Sequence, residues 1–520
     1  MNQSIKSRFE YLDGERSMVL LRNRDFSALT DPSLLPPIGS NENSTLEQPY
    51  NSLGKALIDN LANKLSQALF PTQPFFKMQI DEAKLRKIAQ TEDPNLLTNI
   101  EFGLSKYERA IMNEIDSRAL RNPAFEIFRL LIATGNCVAY LPEDATGMKV
   151  YRLDRYVVAR DAMGQLLELI IKESISQLEL PEGFKLPDDI TKKPYENVDV
   201  YTKISRVDKK RGGHLWEVSQ EIEGVPVDDP KTRGTYNDNN MPWIVLRWNA
   251  LAGENYGRGM VEGLSGDFYS LEALTKAIVL ASALAAKVIF FKKPNGTTNI
   301  NKLAKARSGD FILGDAKEIS VLQLEKYPDL EIAKQTKGEI EQRLMRAFLM
   351  MSSIQRQADR VTAEEIRIMA QELETSLGGI YSMLAVEFQL RIIKILESQM
   401  SKAKKLPVID KKLLKPVIIT GLEALSRGAE LNKLNTFMGQ MQPFADVAKD
   451  YLAFSDYMKR VATYIGINPE GMVRSESEVE QIRAQREQQV QMAEMAQMMM
   501  KNPQIMQGIG GAVTPPEVNQ

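Results

Sequence analysis

A stripe of leucines at helical spacing is the clearest pattern near the start of the chain. The leucines lie four residues apart with polar residues opposite, which predicts an amphipathic helix over residues 53–70 that Pro71 ends. Two further helices are predicted over about 94–115 and over 124–134, and the second of these stops at Gly135. The stripe consists of Leu53, Leu57, Leu61, Leu65 and Leu69.

After this helical part the pattern changes to short alternating segments rich in β-branched and aromatic residues. Such segments predict strands, and Gly212-Gly213 between two of them is typical of a hairpin turn. We therefore expect a mixed α/β region. The predicted strands are residues 138–141, 157–160, 166–172, 198–204, 215–222 and 243–248.

Two long helices on either side of a short insert are predicted in the middle of the chain. From Asp267 apolar residues recur at close to heptad spacing, and many of them are alanines, which allow close helix packing. A second helix with an apolar face is predicted after Pro328. The insert between them contains two candidate strands, 311–313 and 319–324.

The most complete local signal is a helix start in the sequence Val-Thr-Ala-Glu-Glu-Ile at residues 361–366. Thr362 is predicted to cap the helix, and Glu365 completes the capping box. Val361 and Ile366 supply the apolar pair that commonly accompanies such a cap. The polar residues 352–360 before it are expected to form an exposed loop.

The remainder of the chain is predicted to be mainly helical. The helix that Thr362 starts is expected to bend in its middle at Gly378 and Gly379. Residues 475–506 are rich in Glu, Gln, Arg and Met, which suits a long exposed or self-associating helix. Residues 508–520 are expected to be disordered.

Composition excludes several classes of chemistry. The 520 residues include one cysteine, Cys137, and one histidine, His214, so neither an intrachain disulfide nor a Cys/His zinc site can form. Cys137 is expected to be a buried, inert thiol, and His214 to lie in a turn. The N-terminus lacks a secretory signal, and the longest apolar stretch, 277–286, is shorter than a membrane span. We expect several subdomains and no membrane association.

The charge balance argues against a protein that grips nucleic acid tightly, because the formal net charge is -2. Positive residues nevertheless cluster around the insert and before the capping box. In a monomer this is an ordinary basic face, whereas a ring would place every copy around one axis. The cluster consists of Lys287, Lys292, Lys293, Lys302, Lys305, Arg307, Arg356 and Arg360.

Phosphate-binding motifs are absent from the sequence. Gly257, Gly259 and Gly263 miss the dinucleotide-binding spacing by one residue, and Gly54-Lys55 is followed by Ala56 instead of Ser or Thr. We therefore expect no nucleotide cofactor.

Five segments together resemble the portal, or head-to-tail connector, proteins of short-tailed, podovirus-type bacteriophages. They follow the family order and span most of the chain, which makes the resemblance specific although no segment is a chemical motif. They are NSLGKALIDNLANKLSQALFPTQPFF (51–76), YRLDRYVVARDAMGQLLELI (151–170), SGDFILGDAKEISVLQLEK (308–326), RVTAEEIRIMAQELETSLGGIYSML (360–384) and IITGLEALSRG (418–428).

The resemblance implies an α+β, mainly helical subunit of a ring that is expected to be a dodecamer. The portal-type regions are an α/β wing, paired stem helices, a small α/β clip, a helical crown and a C-terminal barrel helix. On this chain they would be wing 1–266, stem helix 267–287, clip 288–328, second stem helix 329–351, channel (tunnel) loop 352–361, kinked wing helix 362–417, crown 418–474, barrel helix 475–507 and a disordered tail 508–520.

The resemblance also implies a function. The ring would sit at one capsid vertex, pass double-stranded DNA during packaging, retention and ejection, and join head to tail, with no catalysis and no cofactor. Gln355, Arg356, Gln357 and Arg360 would face the DNA from the channel loop. The basic residues of the clip would be Lys292, Lys293, Lys302, Lys305 and Arg307.

The partners implied are other copies of the chain, double-stranded DNA without sequence specificity, the terminase packaging ATPase, tail and adaptor proteins, the major capsid and scaffolding proteins, and internal core proteins. The protein would be assembled in the host bacterial cytoplasm and kept in the virion. On the residues alone two other functions remain open, namely a cytoplasmic helical scaffold or adaptor without a channel and an enzyme that uses only carboxylates and lysines.

Overall fold

The structure is a computed structural model, and it describes most of residues 4–501. The segments outside the description are residues 42, 73, 81–95, 144–146, 181–183, 185–195, 209–212, 228–232, 286–289, 322–326, 352–362, 407–415, 420–426, 445–453, 455–456, 459–460, 463–472 and 475, together with 1–3 and 502–520.

The N-terminal part contains helices α1 (Ile5–Glu15), α2 (Ser17–Leu29) and α3 (Leu53–Leu69). The predicted leucine stripe is confirmed for Leu57, Leu61, Leu65 and Leu69, which are all fully buried, whereas Leu53 at its start is half-buried. Strand β1 (Lys77–Ile80) follows, and α4 (Leu96–Ser117) and α5 (Arg121–Thr134) continue the helical part. Helix α5 packs against α3.

Gly135 ends α5 as the sequence predicts, and it does so in the left-handed conformation with φ of 74°. The backbone of Arg258 and Gly259 lies against it. A Cβ atom at this position would stand 2.4 Å from the Arg258 carbonyl carbon and from the Gly259 nitrogen. Both the conformation and the close approach therefore require glycine.

The α/β region contains two antiparallel sheets. The smaller one has the order β10-β2-β3, and the larger one the order β4-β5-β6-β7-β8 with β9 also paired to β7. All six predicted strands are present, and their ends differ from the predicted ones by no more than four residues. The strands are β2 (Asn136–Tyr140), β3 (Lys149–Tyr151), β4 (Tyr156–Arg160), β5 (Leu166–Ile175), β6 (Val198–Asp208), β7 (His214–Ile222), β8 (Val225–Pro226), β9 (Gly234–Tyr236) and β10 (Trp243–Arg247).

Helix α1 covers one face of the larger sheet. Phe9 and Leu12 form a buried cluster with Val157, Ile170 and Tyr201. Alternate residues of the same strands point the other way into the main core of this region. The hairpin of β6 and β7 pairs Asp208 with His214, as Gly212-Gly213 predicted. His214 itself begins β7 and does not lie in the turn.

The middle of the chain forms α6 (Met260–Gly263), α7 (Ser265–Ala285), β11 (Phe290–Lys292), α8 (Ile300–Lys305), β12 (Ile319–Val321) and α9 (Tyr327–Ala347). This arrangement confirms the two predicted helices around a small insert. The strand predicted at 311–313 is wrong, because that segment pairs with no other strand. Its Phe311 and Leu313 side chains are fully exposed. Of the strand predicted at 319–324, residues 319–321 form β12.

The helix predicted from Thr362 begins at Ala363, and Thr362 itself lies outside the described residues. The expected bend is a complete break: Gly378 and Gly379 both have positive φ, 60° and 88°. They separate α10 (Ala363–Ser376) from α11 (Ile380–Leu384), because two consecutive left-handed residues cannot continue a right-handed helix. A π-helical turn, Ala385–Gln389, then joins α11 to α12 (Leu390–Lys402).

The C-terminal part contains β13 (Pro416–Ile419), which pairs with β1, and the helices α13 (Arg427–Met441) and α14 (Glu476–Lys501). The chain divides into two compact units. One consists of Met1–Lys84 and Lys106–Leu425, and the other of Leu85–Ser105 and Ser426–Gln520. The fold class is α+β and mainly helical, as predicted.

We expect the substitution Gly135→Ala to lower the free energy of unfolding by roughly 3 kcal/mol, because it adds backbone strain and an overlap with the 258–259 backbone. Gly213→Ala is the matched control. Gly213 also has positive φ, 79°, but nothing lies within 4 Å of an added Cβ, so it should cost only about 1 kcal/mol. Denaturant unfolding at fixed protein concentration, followed by tryptophan fluorescence, measures both. Equal losses would contradict the role given to the close approach.

Candidate functional site

Helices α7 and α9 form an antiparallel pair. We call this pair, together with the insert that joins the two helices, the stem hairpin. Phe268 near the start of α7 meets Phe348 just beyond the end of α9, with ring centroids 6.0 Å apart. Asp267 and Arg343 approach to 3.6 Å at the same end. Leu271 and Leu344 are buried along the pair.

The opposite face of α7 is apolar and exposed. Tyr269, Ala273, Ala277, Leu280 and Leu284, which we call the α7 stripe, recur at intervals of three or four residues and are all exposed. Leu280 is 53% exposed and Leu284 47%. By length and composition α7 is also apolar enough to cross a membrane, which corrects the expectation drawn from the shorter stretch 277–286.

The exposed surface of α9 is mainly polar, with Ile332 as the large apolar side chain that is exposed among its described residues. Glu331, Gln335, Glu339, Gln342 and Arg346, the α9 stripe, follow the same intervals as the α7 stripe and are all exposed. Two acidic, one basic and two amide side chains give this stripe little net charge. The stem hairpin therefore presents one apolar and one nearly neutral polar stripe.

The insert is closed by hydrogen bonds of its own. Strands β11 and β12 pair from Phe290 with Val321 to Lys292 with Ile319. The side chain of Asn299 caps α8 by accepting hydrogen bonds from the backbone N–H groups of Asn301 and Lys302.

Glu318 is the centre of this network. Its carboxylate accepts hydrogen bonds from the Thr298 hydroxyl at 2.7 Å and from the backbone N–H groups of Thr298 at 2.9 Å and Thr297 at 3.0 Å. These bonds favour the ionised form and lower the pKa of Glu318 from 4.5 to about 2, the Thr298 hydroxyl having the largest effect. Gly296 makes the approach possible, since a Cβ there would lie 2.8 Å from the carboxylate.

The predicted basic residues of the insert lie together on its surface. Lys293, Lys302, Lys305 and Arg307 are exposed, and Lys292 on β11 is half-buried. Lys302 and Lys305 are three residues apart on α8 and so share a face. Basic side chains in residues 290–321 outnumber acidic ones by six to three.

The predicted channel-loop residues Gln355, Arg356, Gln357 and Arg360 lie outside the described residues, between the end of α9 and the start of α10. Glu365 lies in the first turn of α10. Sequence reasoning did not identify Glu318. The signal that could have done so is the sequence Asn-Gly-Thr-Thr, in which a glycine precedes two hydroxyl donors.

The single cysteine and the single histidine both belong to the packing and hydrogen bonding of the fold. Cys137 is fully buried as expected, and burial raises the pKa of its thiol well above the usual value. His214 Nε2 lies 2.8 Å from Asp238 Oδ1, and the indole N–H of Trp216 donates to the same oxygen. This shared carboxylate ties the start of β7 to the segment after β9.

The described residues leave the α7 stripe exposed beside an insert that is closed by its own hydrogen bonds, and an exposed apolar surface of this kind is typical of a subunit of a larger assembly. Comparison with known proteins agrees. A family model described as bacteriophage head to tail connecting protein matches residues 2–473, and the chain belongs to this family.

Three relatives are portal proteins of bacteriophages. The portal protein of Escherichia phage T7 is 38% identical over 497 residues, covering 94% of this chain and 91% of the relative. That of Enterobacteria phage T3 is 38% identical over 480 residues, covering 91% and 88%. That of Enterobacteria phage SP6 is 30% identical over 495 residues, covering 93% and 92%.

Replacing Glu318 with Gln should loosen the insert at neutral pH, because the amide nitrogen cannot accept the threonine hydrogen bonds. We expect faster hydrogen exchange at the Thr297 and Thr298 amides, and no change for Glu331→Gln on α9. In the wild type this stabilisation should be full above pH 4.5 and be lost as pH falls through about 2. Exchange corrected for its intrinsic pH dependence tests this, and protection that is unaffected by E318Q would contradict it.

Proposed function

We propose that copies of this chain form a ring around a channel for double-stranded DNA at one capsid vertex, and that the ring serves packaging, retention and ejection and joins head to tail. The observation that carries this proposal is the contrast between the two stripes of the stem hairpin. The membership of the family of head to tail connecting proteins supports it. The role is structural and not catalytic, as for relatives named portal proteins.

The α7 stripe is the contact between neighbouring subunits. Burial of apolar surface stabilises by about 25 cal/mol per Å², and the alanines of the stripe allow a neighbouring helix to approach closely. A protein neighbour suits this helix better than a bilayer. The Glu272 carboxylate on α7 accepts hydrogen bonds from the backbone N–H groups of Tyr50 at 2.8 Å and Asn51 at 3.2 Å, and insertion into lipid would break or bury these polar contacts.

The α9 stripe lines the channel. Every firm phosphate contact adds to DNA affinity and to its salt dependence, and a ring multiplies each contact by the number of copies. A surface with two glutamines and almost balanced charges holds phosphates weakly, so DNA can slide. Charges on the opposite wall are largely screened beyond about 8–10 Å at cellular ionic strength.

The insert is the clip, and its exposed basic and apolar side chains form the docking surface for the terminase packaging ATPase during filling and for tail or adaptor proteins afterwards. Gln355, Arg356, Gln357 and Arg360 contact the DNA from the channel loop. Residues 418–474 and 475–507 form the crown and the barrel, where internal core proteins bind. Capsid and scaffolding proteins surround the wing, and a dodecamer is the subunit number that we propose.

Replacing Leu280 with Glu should prevent ring formation, because each copy would bury a carboxylate in an apolar contact at a cost of several kcal/mol. Gln342→Glu on the α9 stripe is the matched control and should leave rings intact. Light scattering and negative-stain microscopy measure both variants. Rings formed by L280E would contradict the assignment of the α7 stripe, and flotation of the wild-type protein with lipid vesicles would favour a membrane contact.

Replacing Arg356 and Arg360 with Ala should reduce the fraction of filled particles that keep their DNA, because two phosphate-binding charges per copy are removed. Packaging should continue, since the motor supplies the force. Lys55→Ala on α3 is the control, because the Lys55 side chain is 57% exposed and has no part in the proposed DNA or docking contacts, and it should retain DNA once filled. Nuclease-protected DNA per particle is the measurement. Normal retention by R356A/R360A would remove the loop from the proposed function.

A further inference from the structure

The end of α9 contains a backbone conformation that the sequence at that point disfavours. Leu349 has φ of 57°, in the left-handed region. The backbone N–H of Met350 donates to the carbonyl of Met345 at 2.8 Å, and that of Leu349 to the carbonyl of Arg346 at 3.1 Å. This pair of bonds is a Schellman motif, in which the left-handed position is usually glycine. A leucine there is strained, so other contacts must hold it.

Helix α3 supplies those contacts. The Lys64 ammonium donates a hydrogen bond to the carbonyl oxygen of Leu349 at 2.7 Å, and the Asn60 amide donates to that of Phe348 at 3.2 Å. Both carbonyls lie just beyond the C-terminal end of α9, where the helix dipole favours a cation. Two side chains one turn apart on α3 therefore form hydrogen bonds with the two residues at which the chain leaves the stem.

The use of a lysine for this contact costs free energy, because its ammonium group must be desolvated. It is only 7% exposed, and burial of an ammonium group is unfavourable unless it is paired. Burial lowers the pKa of Lys64, and the nearby Glu372 carboxylate opposes this effect. Glycine at position 349 would have produced the same turn without any buried charge. The combination of a strained leucine and a buried lysine makes the turn depend on α3.

Lys64 interacts with one residue that precedes the segment 352–361 in the sequence and with one that follows it. Leu349 lies just before this segment, and Glu372 lies on α10, the helix that follows it. The start of α3 is in turn held by Glu272 of α7 through the N–H groups of Tyr50 and Asn51. Helix α3 thus contacts α9 and α10, and the two residues just before its start contact α7.

We propose that Lys64 is a positioning residue for the channel loop: by holding the Leu349 carbonyl it fixes the position and direction of the chain at residues 348–350, where the chain leaves the stem just before that loop. This inference rests on the proposed function, in which that loop contacts DNA. Lys64 itself does not touch DNA. It acts through Leu349, and Asn60 assists it.

The first test is Lys64→Met, which keeps the aliphatic chain and removes the charge and the donor. Hydrogen exchange over residues 345–351 of the assembled ring should become about tenfold faster, and the fraction of filled particles that retain DNA should fall. Lys55→Met is the control, since Lys55 lies on the same helix with its side chain 57% exposed. Unchanged exchange and retention in K64M would overturn the proposal.

The second test is rescue by Leu349→Gly. Glycine adopts the left-handed conformation without strain, so the double variant K64M/L349G should regain protection and DNA retention to within about twofold of the wild type. If K64M alone fails to assemble, K64M/L349G should assemble. A double variant as defective as K64M would show that Lys64 acts elsewhere and would overturn the proposal.

A third experiment distinguishes a failure of the role proposed for Lys64 from a failure of the DNA-facing role proposed for the loop. K64M is combined with R356A/R360A, because two changes that act through one loop are not additive. Retention that is no lower in the combined variant than in R356A/R360A supports the proposal. Losses that multiply would overturn it and leave a general structural role. If R356A/R360A alone has no effect, the DNA-facing role of the loop fails, while exchange over 345–351 still tests whether Lys64 holds Leu349.

Discussion

The rest of the structure depends on an apolar surface that the described part of one subunit leaves exposed. Helix α7 uses one side to pack against α9 and exposes the other, so the α7 stripe needs a partner. An exposed stripe of this kind is a liability in a monomer and a requirement in an assembly. The polar α9 stripe at the same intervals then has a natural place on the side where water and DNA would lie.

Periodicity predicts those elements whose burial follows a single face. The leucines of α3 and the alternating residues of β4 to β7 fall into cores directly, because one pattern decides both the secondary structure and its buried side. The same reasoning gives a wrong prediction for the segment 311–313. Its apolar residues suggested a strand, yet a strand needs a partner, and Phe311 and Leu313 remain exposed in the subunit. Likewise, Gly378 and Gly379 predict a disturbance, but only the backbone shows a complete break.

The candidate site is less predictable than the fold, because its important contacts join residues that are far apart in sequence. The contact of Lys64 with Leu349 spans 285 positions, and that of Asn60 with Phe348 spans 288. No local pattern marks Lys64, which reads as one polar residue on the outer face of an amphipathic helix. Glu318 is closer to its threonine donors, but its role appears only once β11 and β12 have paired. The basic cluster of the insert could be predicted because the charges of its residues can be read from the sequence without knowledge of the fold.

The hydrogen-bonded network around Glu318 bears on how the insert could serve the two successive partners that we propose for it. Its donors, Thr297 and Thr298, belong to the insert itself, so the shape of the insert does not rely on whatever is bound to it. Under the proposed function, an insert that its own hydrogen bonds hold in shape would not have to be rebuilt between a packaging motor and a tail. Replacement of one such partner by the other would then be a competition for an unchanged surface, decided by relative affinity and by the order of arrival.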